Sequence, residues 1–249
     1  MNLKQKISKG IVTTGSWITF SDPSVAEVMA KAGFDWLTID LEHSAISMKQ
    51  AENLIRTIEL CGVDPLVRLT SNDPNQIKRV LDAGAKGIIV PMVKTFQEAN
   101  NAVNSAYYPP KGSRPYGLSR AQGFGPYFKE YVEKSDSEIL VIVQIEHIDA
   151  IDELDAIFSL DTIDAFIIGP YDLSGSMGIP GEFHDEKYLK VIEEIKHVAN
   201  KHSKPGGIHI VEPDLDSYKK ATEEYSFIAY SVDFRMLDTA SRLATNKGS

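Results

Sequence analysis

The sequence predicts an α/β protein whose eight strands close into a (β/α)8 TIM barrel. Short runs rich in β-branched residues alternate along the whole chain with amphipathic helical stretches, which is typical of a parallel sheet covered by helices. The length of 249 residues is close to that of one such barrel. We therefore expect residues 1–249 to form a single barrel domain.

The candidate strands are short, and a loop and a helical stretch follow each of them. They span residues 10–20, 36–40, 65–69, 87–91, 139–145, 165–169, 207–211 and 227–232. Asp22 and Asp73 each precede a proline at the start of a helical stretch, and Thr95 precedes a third, which indicates N-caps. One irregular stretch, residues 107–133, is rich in Gly, Pro, Tyr and Arg, and loops of this length are usually functional.

Composition narrows the classes of function. A hydrophobic fraction of 43% fits a globular protein with a core, and a net charge of −9 argues against nucleic acid as a partner. The longest apolar runs have the length of strands, so we expect no membrane association. Cys61 is the single cysteine and cannot form an internal disulfide, which indicates a reducing compartment; we expect a cytoplasmic protein.

Two carboxylates follow neighbouring strands of the predicted sheet. Glu146 ends the strand 139–145, and Asp172 comes just after the strand 165–169. Hard oxygen ligands at one edge suit a divalent cation such as Mg²⁺ or Mn²⁺, although either residue could instead cap the next helix. Gln144 lies two residues before Glu146 and should share its face, to bind substrate, to bind a water on the cation, or to support the ligands.

Arg68 and His43 are the candidate acid–base groups at the same edge. Arg68 ends an otherwise apolar strand and needs an anionic partner, either a substrate oxygen or a carboxylate of a structural ion pair. His43 follows a strand end between Asp40 and Glu42, where a neutral imidazole could serve as general base. The turn that contains Gly169, Tyr171, Asp172 and Ser174 could present backbone N–H groups to an anionic substrate.

Two other chemistries are disfavoured. Lys94 is the only lysine near a predicted strand end that could form a Schiff base, and the histidines lack zinc-ligand spacing. We interpret His209 as a surface or supporting residue.

Several segments in the expected order resemble the metal-dependent class II pyruvate aldolases of the HpcH/HpaI type. This family includes 4-hydroxy-2-oxoheptanedioate aldolase and 2-dehydro-3-deoxyglucarate aldolase. The matching segments are residues 32–43, 67–68, 72–84, 90–93, 108–114, 144–146 and 169–174.

The resemblance implies a barrel of the phosphoenolpyruvate/pyruvate-binding type and a role for each site residue. Glu146 and Asp172 would hold Mg²⁺, Mn²⁺ or Co²⁺, and backbone N–H groups near Tyr171 and Asp172 would bind the carboxylate of a small keto acid. Arg68 would stabilise an enolate oxygen. His43 would act as base together with Asp82, which the family contributes across a subunit interface. Asp40 and Gln144 match positions near the site.

The implied reaction is the cleavage or formation of a 4-hydroxy-2-oxo acid through a pyruvate enolate, with an aldehyde as the second product. The implied assembly is a homohexamer, a trimer of dimers, in which the last helix, including residues 238–243, is exchanged between subunits. Alternatives on this scaffold are an oxaloacetate decarboxylase, a citrate-type condensing enzyme and a non-catalytic keto-acid-binding barrel.

The chain also departs from the family pattern. Leu41 stands where members often carry Gly, and Tyr171 stands where they carry a small residue, so the accepted aldehyde could differ. In the long loop we expect Tyr116, Arg120 and Phe124 to contribute to aldehyde selectivity.

Overall fold

The computed structural model describes residues 1–245, which form eight parallel strands closed into a barrel in sequence order, with β1 paired to β8. The predicted TIM barrel is confirmed. The strands are β1 Thr13–Ile18, β2 Trp36–Asp40, β3 Asp64–Arg68, β4 Gly87–Val90, β5 Leu140–Ile145, β6 Ala165–Ile168, β7 Gly206–Ile210 and β8 Phe227–Val232.

Helices cover the outside of the barrel and close one end. They are α1 Leu3–Ser8, α2 Pro23–Lys31, α3 Met48–Leu60, α4 Pro74–Asp82, α5 Phe96–Ala106, α6 Phe128–Glu138, α7 Leu154–Phe158, α8 Pro170–Ser176, α9 Glu186–Lys201, α10 Leu215–Glu224 and α11 Asp233–Thr245. The predicted caps are present: the carboxylates of Asp22 and Asp73 accept from backbone N–H groups in the first turns of α2 and α4, and Thr95 caps α5. None of the helices within residues 1–245 is both long and apolar enough to cross a membrane.

The first strand is shorter than its apolar pattern predicts. The backbone N–H groups of Thr19 and Phe20 donate to the buried carboxylate of Asp233, at 2.7 and 2.8 Å. Asp233 opens α11, so these bonds take residues 19 and 20 out of the ladder and join the end of β1 to the end of β8. Gly10, at the other end of the predicted strand, has a φ of 66° and belongs to a turn.

Two apolar cores result from the closed sheet. The larger core lies between strands and helices, and the smaller one fills the barrel interior. Leu3 and Ile7 of α1 belong to the interior core and close the amino-terminal end of the barrel. Trp36 stacks on Phe227 within this core, with ring centroids 4.2 Å apart. The interior is therefore packed at the end that α1 closes, opposite the carboxyl ends of the strands.

The long stretch between α5 and β5 is more regular than predicted. It contains a 3-10 turn at Arg120–Gln122 and the first part of α6. Arg114 in this stretch is buried, with its guanidinium 4.6 Å from the centre of the Tyr108 ring. Arg114 also donates to Asp82 at the end of α4, and Arg120 donates to the Ala83 carbonyl, so these polar contacts hold the stretch against α4.

Gly15 on β1 leaves the space that the Trp36 indole occupies, because a Cβ at position 15 would overlap that ring. We expect Gly15→Ala to lower the free energy of unfolding by roughly 1–3 kcal/mol or more, since a buried indole cannot move without disturbing its stack. Urea unfolding measures this change. Gly117→Ala is the matched control, because a Cβ there meets nothing within 4 Å. Equal stabilities for the two variants would contradict this account of the barrel interior.

Candidate active site

A cavity of about 410 Å³ opens at the carboxyl ends of the strands. Parallel strands place all their carboxyl ends on one rim, so residues far apart in sequence meet there. The sequence-predicted residues that line it are His43, Arg68, Gln144, Gly169, Tyr171 and Asp172. Residues that sequence reasoning did not assign to it also line it, among them Trp17, His209 and Val211.

Glu146 is buried beside this cavity, only 2% exposed, and hydrogen bonds hold both of its oxygens. The backbone N–H of Met92 donates to Oε1 at 2.7 Å, and Nε2 of Gln144 donates to Oε2. Met92 has a φ of 54°, a left-handed conformation that is costly for a residue with a side chain. Burial, together with the negative charges of Glu42 and Asp172, raises the pKa of Glu146 to about 7.

Asp172 lies in the first turn of α8, directly after β6. The pairing of β5 with β6 places Ile145 opposite Ile168, so the residues that follow the two strands are neighbours on the rim. Gly169 makes this approach possible, because a Cβ at position 169 would lie 2.5 Å from Oε2 of Glu146. A larger residue here would displace the side chains of Glu146 and Gln144.

The donor set fits a divalent cation. Oε1 of Gln144 and Oε2 of Glu42 are buried without a hydrogen-bond partner, and the charges of Glu146 and Asp172 repel each other. Within residues 1–245 no cluster of three or more His, Cys, Asp or Glu side chains is arranged to hold a metal. A cation here would therefore take two carboxylates from the protein and its remaining ligands from substrate and water, as Mg²⁺ commonly does.

Arg68 forms a bidentate ion pair with Asp40. Its Nε and Nη2 donate to the two carboxylate oxygens at 2.9 and 2.6 Å, and Nη1 lies 3.3 Å from Oε2 of Glu42. The guanidinium also lies 4.4 Å from the centre of the Trp17 ring. Burial alone would raise the pKa of Asp40, but the hydrogen bonds and charge of Arg68 lower it below the ordinary value. Arg68 thus has a structural partner and lines the cavity as well.

Asp40 also orients the loop that carries His43. Its Oδ1 accepts from the backbone N–H groups of Glu42 and His43, at 3.0 and 3.3 Å. The His43 side chain is 64% exposed at the cavity rim, with Nε2 3.9 Å from Oε2 of Glu42. An exposed imidazole at the rim can reach both substrate and solvent. Leu41, in the same loop, is buried in the outer core and does not line the cavity.

Asp82 and Ser174 lie apart from the cavity-lining residues. Oδ1 of Asp82 accepts from Nη2 of the buried Arg114 at 2.6 Å, and in the single chain its contacts do not include His43. Ser174 is buried, and its hydroxyl donates to the Tyr171 carbonyl and accepts from the Gly181 N–H. Ser174 therefore stabilises the α8 turn in this chain.

Of the long-loop residues, Arg120 and Phe124 lie beside Asp82, Tyr116 stacks on Tyr108, and none of the three lines the cavity. Arg120 and Phe124 line a separate surface groove with Asp82. Arg120 donates to Glu59 and to the Ala83 carbonyl. Their expected contribution to aldehyde selectivity is thus not made from the rim of their own chain's cavity.

His209 lines the cavity. Its sequence context had indicated a surface or supporting residue. Its ring lies 5.4 Å from that of Trp17, and its Nε2 is 3.2 Å from the Ser231 carbonyl oxygen. Burial, and to a smaller extent the positive charge of Arg68, lowers the pKa of His209 to about 4. A signal was available in the sequence: positions 207, 209 and 211 alternate on one face of β7 and lead to the rim.

The sequence is similar to those of a known enzyme family and of individual members of it. Residues 13–237 match the family described as HpcH/HpaI aldolase/citrate lyase. A hydroxypyruvate/pyruvate aldolase of Sagittula stellata is 36% identical over 240 residues, which cover 96% of this chain and 94% of that protein. A 5-keto-4-deoxy-D-glucarate aldolase of Shigella dysenteriae is 33% identical, covering 93% and 90% of the two chains.

A solved structure has the same fold. The crystal structure of an HpcH/HpaI aldolase/citrate lyase family protein from Burkholderia cenocepacia superposes with a TM-score of 0.93 at 29% identity. The match covers 98% of each chain.

The depressed pKa of His209 predicts a pH dependence of stability. The folded protein keeps this ring neutral down to about pH 4, whereas the unfolded chain protonates it near pH 6.5. Lowering the pH from 6.5 to 4 therefore favours the unfolded state, by on the order of 2–3 kcal/mol from this group. We expect His209→Leu to flatten the fall in unfolding free energy over this range.

Urea unfolding at several pH values between 4 and 7 measures the slope. His197→Leu, at an exposed position on α9, is the control and should keep the wild-type slope. A slope that is the same in wild type and His209→Leu would show that His209 does not titrate as a buried group.

Proposed function

Since the chain belongs to the HpcH/HpaI aldolase/citrate lyase family and is an aldolase-type carbon–carbon lyase, we propose that it cleaves or forms a 4-hydroxy-2-oxo acid. The products of cleavage are pyruvate and an aldehyde, and the reaction passes through a pyruvate enolate. The observation that carries this proposal is that Asp172, the unpartnered Gln144 oxygen and the paired Arg68 meet at one cavity, with Glu146 buried directly beside it.

We assign the cation to Glu146 and Asp172, with Mg²⁺, Mn²⁺ or Co²⁺ as candidates. A divalent ion bound there supplies Lewis acidity toward the keto oxygen of the substrate. Gln144 donates to Glu146 and so fixes the orientation of that carboxylate, while its own free oxygen accepts from water or substrate. Backbone N–H groups at Tyr171 and Asp172 bind the substrate carboxylate, with Gly169 and Ser174 shaping that turn.

Arg68 stabilises the negative charge that develops on the enolate oxygen. Its pairing with Asp40 restricts the guanidinium to one orientation, so no reorganisation is needed as charge appears. The stacking of this group on Trp17 keeps it at the cavity wall.

His43 is the proposed base. In cleavage it takes the proton of the C4 hydroxyl, the C3–C4 bond breaks, and the aldehyde leaves; protonated His43 then returns this proton, through water, to C3 of the enolate and pyruvate forms. In the single chain, Oε2 of Glu42 lies 3.9 Å from Nε2 of His43. We propose that Asp82 of a neighbouring subunit orients it in a homohexamer, built as a trimer of dimers with exchange of α11.

Two observations support the assembly. The helix α11 exposes Phe234, Leu237 and Leu243, which is a large apolar surface for a helix on a monomer. Asp82 borders an open surface groove at the end of α4. We also propose a cytoplasmic location, because the one cysteine, Cys61, is unpaired.

Oxaloacetate chemistry is the second candidate, because the matched family also includes citrate lyase. An oxaloacetate decarboxylase or a citrate-type condensing enzyme could use the same cation and arginine. A barrel that only binds a keto acid is the non-catalytic alternative.

Exchange of the pyruvate methyl protons tests the enolate without any aldehyde. In the presence of Mg²⁺ or Mn²⁺, we expect the wild-type protein to exchange these protons for deuterium from D₂O. Addition of EDTA should stop the exchange. Glu146→Gln should slow exchange by on the order of a hundredfold or more, since it removes one negative ligand of the cation. Proton NMR after an EDTA quench measures the rate.

Glu138→Gln is the control for loss of a carboxylate, because Glu138 precedes β5 at the opposite end of the barrel. Exchange that needs no metal, or that survives Glu146→Gln unchanged, would contradict the proposal. Turnover of oxaloacetate without pyruvate exchange would favour the second candidate.

Subunit complementation tests the His43–Asp82 pair. His43→Ala and Asp82→Ala should each be nearly inactive alone. Co-expressed, they should recover a fraction of wild-type aldol cleavage, because some sites then combine an intact His43 with an intact Asp82 from its neighbour. Cleavage coupled to pyruvate detection gives the rate. Mixed assemblies that stay as inactive as either variant would place both residues in the same subunit's site, and an active Asp82→Ala variant would remove Asp82 from catalysis.

A further inference from the structure

The mechanism leaves one wall of the cavity without a role. On β7 and just after it, His209 and Val211 face the cavity, and Trp17 of β1 lies against the imidazole. Most of the surface around them is apolar, from Ile167, Ile168 and Val211. Burying a polar ring in such a wall costs free energy unless the ring makes hydrogen bonds.

The backbone around Ser231 determines which nitrogen of His209 carries the proton. Ser231 has a φ of 53°, and the pairing of β1 with β8 shifts register beside it, between Gly15 and Trp17. Its carbonyl oxygen lies within hydrogen-bonding distance of Nε2 of His209 and also accepts from the Ser16 hydroxyl. A carbonyl can only accept, so Nε2 bears the hydrogen and Nδ1 retains its lone pair.

Within residues 1–245, Nδ1 of His209 makes no hydrogen bond, and the ring faces the cavity. The charge of the nearby Arg68 and the burial of the ring lower the pKa of His209 to about 4. The imidazole is therefore a neutral hydrogen-bond acceptor at neutral pH.

The partner of such an acceptor must be a donor. A substrate carboxylate would meet the lone pair with its own negative charge, and Arg68, the cation beside it, is already paired with Asp40 and Glu42. An alkyl group would leave Nδ1 buried and unpartnered when the substrate closes the cavity. A hydroxyl group satisfies the nitrogen and fits beside the apolar wall.

We propose that His209 is a specificity-determining residue that accepts a hydrogen bond at Nδ1 from a hydroxyl group of the substrate. The inference rests on the proposed aldolase function and names its substrate class as hydroxylated compounds in preference to their deoxy counterparts. Two substrates can bring this hydroxyl: an acceptor of the 2-hydroxyaldehyde type, or a hydroxypyruvate-type keto acid in place of pyruvate.

Ratios of kcat/KM for matched substrate pairs test the proposal. One pair is glycolaldehyde against acetaldehyde with pyruvate fixed, and the other is hydroxypyruvate against pyruvate with the aldehyde fixed. We expect wild type to favour the hydroxylated member of at least one pair. His209→Leu should reduce that preference by roughly threefold to tenfold, the range for loss of one neutral hydrogen bond. The affected pair identifies which substrate carries the hydroxyl.

Two further variants serve as a conservative substitution and as a control. His209→Gln has an amide that can donate to the Ser231 carbonyl and still accept, so it should retain part of the preference. His197→Leu, at an exposed position on α9, should leave both ratios unchanged. Because the proposed roles in enolate formation belong to other residues, exchange of the pyruvate methyl protons should persist in His209→Leu.

The outcomes separate this inference from the proposed function. Persistent exchange in His209→Leu with both ratios equal to wild type would overturn the role of His209 and leave the aldolase proposal intact. A wild-type enzyme that shows no preference in either pair would also overturn it. Absence of exchange in the wild-type enzyme would contradict the proposed function, and this inference with it.

Discussion

The bidentate ion pair between Arg68 and Asp40 is the interaction on which the rest of the site depends. It joins the carboxyl ends of β2 and β3, and the same Asp40 carboxylate holds the backbone of the loop that carries His43. It also holds a positive charge against Trp17, close enough to influence both Glu146 and His209. Breaking a buried pair of this kind usually costs several kcal/mol, because the remaining charge loses its partner.

The ion pair does not neutralise the negative charge at this rim of the barrel. Asp40, Glu42, Glu146 and Asp172 bring four carboxylates to one end of the barrel, and Arg68 is the cation paired with two of them. Burial and mutual repulsion raise the pKa values of Glu42 and Glu146, so the protein alone leaves negative charge unbalanced there. A bound divalent cation would relieve this imbalance, which is the electrostatic basis for the proposed metal site.

Two residues at the rim have strained backbone conformations that position hydrogen-bonding groups. Met92 and Ser231 both have positive φ values although both carry side chains. The first directs an N–H to Glu146, and the second directs a carbonyl to His209. Such conformations persist where surrounding structure over-determines them, and here the closed barrel does so. In both places an unfavourable backbone conformation places a hydrogen-bonding group against a side chain at or beside the cavity.

The sequence by itself determined the barrel and the residues at individual strand ends. Alternation of strands and helices is a local pattern, and parallel strands bring their carboxyl ends together whatever their order of pairing, so Glu146, Asp172, Arg68 and His43 could be predicted. The contacts that Trp17 and His209 make could not be predicted, because their neighbours come from strand closure and from the register shift at Ser231. Only the tertiary structure showed that Arg68 pairs with Asp40 and that Asp82 binds Arg114, since the geometry of an ion pair depends on distances between strands and helices that no local pattern encodes.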